Sequence, residues 1–248
     1  LPIFVGAGDV NGDGFDDVII GAPSAGLNGT GYVIFGKASG FDEQMDLSLL
    51  NGMNGFQVDE DSALSFFSEL GSAGDVNGDG FDDVVIGVPF ANSYSGSSYV
   101  LFGKASGFDA HMDLSDLDGG NGFRLDGESE SDQAGASVSG VGDVNGDGLD
   151  DVIIGASNVS TYSWSSGAAY VVFGRATGFD AQIKLSSLDT REAVRLNGEN
   201  LAREFGRTVS SAGDVNGDGY SDVMATAQAY DQINGSPRSY IVFGGSDV

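Results

Sequence analysis

Gly8-Asp9-Val10-Asn11-Gly12-Asp13-Gly14-Phe15-Asp16-Asp17, running on into Val18-Ile19-Ile20, is the stretch that decides the fold. Its first seven residues return unchanged at Gly74 to Gly80, Gly142 to Gly148 and Gly213 to Gly219. Each copy is completed by an Asp three residues later, at Asp17, Asp83, Asp151 and Asp222. Numbered from its first Asp, the loop carries oxygen-bearing side chains at positions 1, 3, 5 and 9. Ca²⁺ takes six to eight oxygen ligands at about 2.3–2.6 Å, from carboxylates, amide and backbone carbonyls and water. The pattern therefore predicts four Ca²⁺ sites. Their side-chain ligands are Asp9, Asn11, Asp13 and Asp17; Asp75, Asn77, Asp79 and Asp83; Asp143, Asn145, Asp147 and Asp151; and Asp214, Asn216, Asp218 and Asp222. Position 7 is Phe15, Phe81, Leu149 or Tyr220, always large, which fits a side chain packed inward and a backbone carbonyl turned to the metal.

Asn-Gly and Asp-Gly are also hairpin-turn residues. A turn alone does not call for three carboxylates within nine residues, where like charges repel across a few ångströms. Position 8 reads Asp16, Asp82, Asp150 and Ser221, so its carboxylate is dispensable and is expected to point to solvent. An EF-hand would need a bidentate Glu at position 12 and flanking helices. Position 12 is instead Ile20, Ile86, Ile154 or Ala225, inside a short β-branched run that reads as a buried strand.

The first Asp residues of the four copies lie 66, 68 and 71 residues apart, a spacing that signals an array of supersecondary units. Each unit has the same order of parts. A first strand is expected at Leu1 to Ala7, Phe66 to Ala73, Ala134 to Val141 and Phe205 to Ala212, and a second at Val18 to Ile20, Val84 to Ile86, Val152 to Ile154 and Val223 to Ala225. The loop between them caps a β-hairpin. A third strand is spelled Tyr32 to Phe35, Tyr99 to Phe102, Tyr170 to Phe173 and Tyr240 to Phe243. A repeated connection (Lys37 to Asp42, Lys104 to Asp109, Arg175 to Asp180) then leads to a fourth strand near Phe56 to Val58, Phe123 to Leu125 and Val194 to Leu196. Four strands per unit make the blade of a β-propeller. The expected boundaries are 1–61, 62–129, 130–200 and 201–248, within a single propeller region.

These units resemble FG-GAP repeats, the blades of the integrin α-subunit propeller and of many bacterial surface proteins. Phe205-Gly206 matches the first half of the motif, while Phe66-Phe67 and Ala134-Gly135 match it in part. Gly21-Ala22-Pro23 matches the second half, Gly87-Val88-Pro89 and Gly155-Ala156-Ser157 partly, and Thr226-Ala227-Gln228 departs from it. The fold expected is all-β: four FG-GAP blades of four antiparallel strands, the last lacking its outer strand and leaving Tyr240 to Phe243 at an open edge. The family commonly has seven blades. Four repeats fit a segment of a larger ring, which is the expectation, but also a partner-completed ring or a smaller closed one.

Charge narrows the function. Ten basic residues against 37 acidic ones give a net charge of −27, which disfavours nucleic acid and anionic membrane surfaces as partners. No apolar run approaches the length needed to span a bilayer, and membrane insertion is not expected. Without a starting Met or a leader, the sequence reads as a mature or excised portion of something longer. There is no cysteine, so metal clips rather than disulfides are expected to hold the blades. No nucleophile elbow, Walker loop or zinc-protease motif is present. The one histidine, His111, reads as a surface or packing residue. An enzyme is not expected.

By the resemblance, the cation loops lie on one face of the ring and the loops joining strands two and three on the other. Those second loops vary in length and carry Tyr94, Tyr162 with Trp164, and Tyr230, which are the candidate ligand-binding residues. The leading expectation is a calcium-binding extracellular or cell-surface adhesion module that recognises a protein or glycan, its calcium structural rather than catalytic. The alternatives are a non-catalytic scaffold attached to a larger secreted enzyme, or a surface protein that pairs with itself through the open edge blade.

Overall fold

A computed structural model describes residues 3–22, 29–59, 67, 69–160, 165–199, 202–229 and 236–248. Its strands fall into four mostly antiparallel sheets. The first contains β1 (Ile3–Gly8), β2 (Asp17–Ala22), β3 (Thr30–Ile34) and β4 (Gly55–Asp59). The second contains β5 (Glu69–Gly74), β6 (Asp83–Val88) and β7 (Ser97–Leu101); β8 (His111–Asp113), next in the chain, crosses to the outer edge of the first sheet. The fourth strand of the second sheet is β9 (Gly122–Asp126). The third sheet is β10 (Ala134–Gly142), β11 (Asp151–Ala156) and β12 (Ala168–Val172), completed by β14 (Ala193–Asn197) after β13 (Gln182–Lys184) has crossed to the second. The last is β15 (Ala202–Arg203), β16 (Val209–Gly213), β17 (Asp222–Ala229) and β18 (Arg238–Val242).

The first strands β1, β5, β10 and β16 stand side by side, each against the next, and the sheets fan outward from them. This is the arrangement of β-propeller blades. Every hairpin enters its loop through the same irregularity. Gly8, Gly74, Gly142 and Gly213 take positive φ at a register shift opposite Asp17, Asp83, Asp151 and Asp222. A glycine in the left-handed region lets the strand bulge and turn at that point.

The core lies between neighbouring sheets. Along β6, Val84 and Ile86 face the first blade and Val85 the third. Along β11, Val152 and Ile154 face the second blade and Ile153 the fourth. All residues of β6 and β11 are buried because both faces of these sheets are covered. On the flanks of the array the covering stops: Phe4 is 75% exposed and Ile241 51%.

The repeated connection after the third strand packs on the preceding blade. Phe108 stacks on Phe56 (centroids 4.9 Å apart, 8° between planes) and Phe179 on Phe123 (4.0 Å, 4°). Lys104 and Arg175 lie over the same two phenylalanine rings. Each such phenylalanine contributes about 1.5–3 kcal/mol by burial, and an aromatic pair about 1 kcal/mol more.

Three short strands were not expected. β8 and β13 add in parallel to the outer edges of β4 and β9, so each connection crosses to cover the blade before it. Their sequences, His111-Met112-Asp113 and Gln182-Ile183-Lys184, are too short and polar to announce themselves as strands. β15 is a two-residue pairing on β17. The fourth unit's first strand also starts later than expected, at Val209, although Gly206 (φ +80°) has the same left-handed backbone as Gly135 (φ +86°), which lies inside β10. β18 pairs with β17 and with no further strand among the described residues.

The two halves of the repeat motif meet across the blade boundary. A Cβ on Gly87 would lie 2.2 Å from the Gly135 carbonyl oxygen, and one on Gly155 1.9 Å from that of Gly206. Backbone from the next unit therefore rests directly on each of these glycines.

Candidate cation loops and the opposite rim

The antiparallel order puts the turns between first and second strands at one end of the blades, called the cation rim after the expectation for its loops. The turns between second and third strands lie at the other end.

On the cation rim the four loops are wound alike. In the first, Asp9 accepts from the Asp13 amide through Oδ1 (3.0 Å) and from the Gly14 amide through Oδ2 (2.9 Å). Asn11 Oδ1 accepts from the Asp13 amide at 2.9 Å, and Asp13 Oδ1 from the Phe15 amide at 3.0 Å. The same bonds recur from Asp75, Asn77 and Asp79, from Asp143, Asn145 and Asp147, and from Asp214, Asn216 and Asp218. Positions 1, 3 and 5 are thus drawn together at the tip of each loop.

Position 9 does something further. Asp17, Asp83, Asp151 and Asp222 are each 0% exposed. Asp17 accepts from the Val10 amide (2.9 Å) and the Gly36 amide (2.7 Å), one with each oxygen. Asp83 binds the Val76 and Gly103 amides, Asp151 those of Val144 and Gly174, and Asp222 those of Val215 and Gly244. This carboxylate ties the start of the loop to the glycine that ends the third strand. That glycine belongs to the repeated Phe-Gly spelling that closes the third strand; the sequence reading did not join it to the loop.

Burial pushes the Asp17 carboxyl up to about 6, Asp83 to about 8 and Asp151 to about 7. The two amide bonds pull each one back down, and the charges at positions 5 and 1 of the same loop raise it again. In loop four, bonds from the backbone amides, led by Gly219, hold Asp214 below the usual carboxylate range.

Among the described residues no three acidic or histidine side chains converge as a ready metal cage. Each tip brings together two carboxylates and an amide oxygen, while the third carboxylate is engaged by backbone amides. The donor set is all oxygen, without thiol and with imidazole only at His111, well away in β8. It fits a hard divalent cation and not zinc or copper. The three carboxylates also act on one another electrostatically, which a bound dication would relieve.

One expectation about the loop is given its packing partner and another needs correction. Position 7 packs against the preceding loop. Phe81 lies over Gly12 of the preceding loop, Leu149 over Gly78 and Tyr220 over Gly146, while Phe15, at the flank, is 43% exposed. Position 8 points to solvent only at Asp16. Asp82 and Asp150 turn to the neighbouring loop, where they accept from the Asp9 amide (2.7 Å) and the Asp75 amide (2.8 Å). Both contacts run between units, which a reading confined to one loop does not reach.

On the opposite rim, Tyr94 is 54% exposed and meets Phe90 edge to face at 5.8 Å. It ends a turn in which Asn92, Ser93 and Tyr94 all take positive φ (50°, 58° and 65°). Tyr162, Trp164 and Tyr230 lie outside the described residues. Beside the turn is an open polar cavity of about 320 Å³, whose lining includes Ser93, Arg124, Glu128 and Lys184. At its base Asp126, 5% exposed, accepts from Ser97 Oγ (2.8 Å), Asn92 Nδ2 (3.1 Å), Arg124 and Gln182. The sequence reading missed this residue, although Phe56-Gln57-Val58-Asp59 and Phe123-Arg124-Leu125-Asp126 are parallel spellings. In the first of them Asp59 faces Gln57 and, at 3.6 Å, His111, whose side chain is 69% exposed.

Comparison with known proteins agrees with this geometry. The FG-GAP repeat model matches residues 2–35, 67–101, 134–172 and 205–242. Integrin alpha pat-2 of Caenorhabditis briggsae is 28% identical over 232 residues, covering 89% of this chain and 17% of that protein. Integrin alpha-4 of Xenopus laevis is 31% identical over 155 residues (60% of this chain, 14% of that protein). Integrin alpha-V of Gallus gallus is 32% identical over 160 residues (62% and 14%). The chain spans less than a fifth of the length of these curated relatives. Among the described residues no helix is long and apolar enough to cross a membrane.

Proposed function

Since the chain belongs to the FG-GAP repeat family, we propose that it is a calcium-stabilised extracellular or cell-surface propeller module that recognises a protein or glycan. The observation that carries the proposal is the fourfold recurrence of one oxygen-rich loop with one hydrogen-bonding scheme. In this reading Asp9, Asn11 and Asp13 and their counterparts offer side-chain oxygens at the tip. Asp17, Asp83, Asp151 and Asp222 supply the third carboxylate, and the backbone carbonyls of Phe15, Phe81, Leu149 and Tyr220 a further oxygen. Bound calcium would supply positive charge that offsets the mutual repulsion of the carboxylates. Its role is structural, without catalysis.

The blades correspond to about 1–61, 62–129, 130–200 and 201–248, as a portion of a larger ring. Recognition is placed on the opposite rim, where the exposed Phe90 and Tyr94 pair offers apolar area with a polar handle. Tyr162, Trp164 and Tyr230 are the further candidates on that rim. Descent from the same repeat as integrin alpha chains supports adhesion over an enzyme or an enzyme's scaffold.

The test is binding of the immobilised chain to arrays of glycans and extracellular-matrix proteins, with calcium and with a chelator. The reading expects a calcium-dependent ligand whose capture falls at least severalfold in Tyr94→Ala, with melting unchanged. Equal capture by Tyr94→Ala and by variants at the other three aromatic positions would remove recognition from this rim.

A further inference from the structure

The cation loops do not stand alone. The Asp82 amide donates to the Asp9 carbonyl (3.2 Å), while the Asp9 amide donates to Asp82 Oδ2. Lys104, which follows the Phe-Gly pair of the second blade, donates its amide to the Val10 carbonyl at 2.9 Å. The Phe81 ring closes over Gly12, where a Cβ would meet Phe81 Cε1 at 2.3 Å. Positions 1, 2 and 4 of the first loop are therefore all held by the second blade. The arrangement repeats at the second loop, with Asp150 on Asp75, Arg175 on Val76 and Leu149 on Gly78. At the third, the Ser221 amide donates to the Asp143 carbonyl (2.8 Å), that of Gly245 to Val144, and Tyr220 covers Gly146.

We propose that each of the first three cation loops is held in its binding shape by positions 7 and 8 of the loop that follows it. Phe81 and Asp82 are then positioning residues for the cation of loop one, Leu149 and Asp150 for that of loop two, and Tyr220 and Ser221 for that of loop three. The inference rests on the calcium reading above. Its physical basis is that the neighbour fixes both the N–H and the C=O of Asp9 and of Asp75, and the C=O of Asp143, so the position-1 carboxylate is presented on backbone that is already ordered. Asp82 and Asp150 also bring a further negative charge to the edge of the preceding loop.

The molecule contains its own control. Val10, Val76 and Val144, at position 2 of the first three loops, are 1%, 1% and 2% exposed, but Val215 in the fourth is 52% exposed. A Cβ on Gly213 or Gly217 would meet nothing within 4 Å, whereas one on Gly8 or Gly12 would strike Asp82 or Phe81. Among the described residues no following loop covers the fourth one, which gives the 248-residue chain an uncovered loop for comparison, and the proposal expects that loop to need the most calcium.

The experiment is a calcium titration of the isotope-labelled 248-residue chain, following the amides of Gly14, Gly80, Gly148 and Gly219, at position 6 of each loop, by NMR. In the wild type the Gly219 midpoint falls at the highest calcium concentration. In Asp82→Ala the Gly14 midpoint rises roughly tenfold, the scale of losing a residue that orients a ligand. The Gly80 midpoint stays put, although residue 82 belongs to the second loop. A shift at Gly80 with none at Gly14, or no shift at either, overturns the proposal. Asp82→Ser, which installs the residue that stands at position 8 of the fourth loop, gives the same direction with less disturbance should the alanine variant unfold. If no wild-type amide responds to calcium, the calcium reading itself falls. Hydrogen exchange without calcium still judges the buttress in that case: Asp82→Ala must speed exchange at the Asp9 amide and leave the Asp75 amide alone, and equal rates would refute it.

Discussion

The two rims of the blades obey different rules. On the cation rim the same residues make the same bonds four times. On the opposite rim the connecting loops differ in length, and Asn92, Ser93, Tyr94, Ser131, Gln133 and Glu204 take positive φ without being glycine. Such backbone costs about 1–3 kcal/mol per residue and persists where the surroundings impose it, often at binding surfaces. The cation rim gains rigidity from repetition and neighbour contact. The opposite rim is free to vary because the blades beneath it are already fixed, by their shared core and by the seating of Gly135 on Gly87 and of Gly206 on Gly155.

The sharpest way to break this comparison is to place one methyl group on each rim. Gly155→Ala forces a Cβ to within 1.9 Å of the Gly206 carbonyl and must push two blades apart. Overpacking of this kind costs about 1–3 kcal/mol and often more. Gly14→Ala meets no atom within 4 Å and suffers only its left-handed φ of 87°, at about 1–2 kcal/mol. Urea unfolding in the absence of calcium should therefore rank Gly155→Ala as the more damaging. The reverse order would mean that the blade contact is loose.

A second pair separates tip from pin within one loop. Asp17→Ala leaves the Val10 and Gly36 amides buried without their acceptor, at about 1–3 kcal/mol each, with or without calcium. Asp13→Ala removes an exposed carboxylate at the tip and, if that carboxylate holds calcium as proposed, should lower the melting temperature mainly in calcium. Asp16→Ala, at a position that faces solvent, should do little in either condition. Equal losses for all three would erase the distinction drawn between loop positions.

The pH dependence follows from the same buried carboxylates. In the calcium-free folded chain Asp17, Asp83 and Asp151 keep their protons to about 6, 8 and 7, whereas the unfolded chain releases them near 4, as an ordinary Asp does. Between about pH 4 and pH 8 the unfolded state therefore binds fewer protons, and stability falls as the pH rises. Melting in a chelator should drop across that window. Saturating calcium should offset the drop, because the cation favours the ionised carboxylates and releases their protons. A calcium-free melting temperature that climbs from pH 5 to pH 8 would contradict this.

The hairpin loops of the first rim were legible in the sequence because their signal is local: nine consecutive residues carry the turn and the side-chain oxygens that its hydrogen bonds gather at the tip. The hairpin and third strands were legible for a similar reason, through β-branched runs such as Val84-Val85-Ile86 and the Tyr-to-Phe-Gly spelling. What escaped was everything that acts between units. Phe81, Asp82 and Asp150 are loop residues by sequence and neighbour contacts by structure. β8 and β13 are three-residue segments whose strand character comes from the edge they cover, not from their own composition. Asp126 becomes a hub only once Asn92, Ser97 and Gln182 are folded around it. Of the four aromatic residues expected on the opposite rim, Tyr94 is the one among the described residues, and its left-handed turn carried no glycine to announce it.

The most direct measurement is scanning calorimetry of the 248-residue chain in chelator and in calcium at about a hundredfold its dissociation constant, where each native-only site adds roughly 2.7 kcal/mol. Four such sites predict a rise in melting temperature of about twenty degrees or more, since a domain of this size gains roughly 2–4 °C per kcal/mol. A parallel titration should saturate at four calcium ions per chain. Superimposable melting curves with and without calcium would contradict the account at its root.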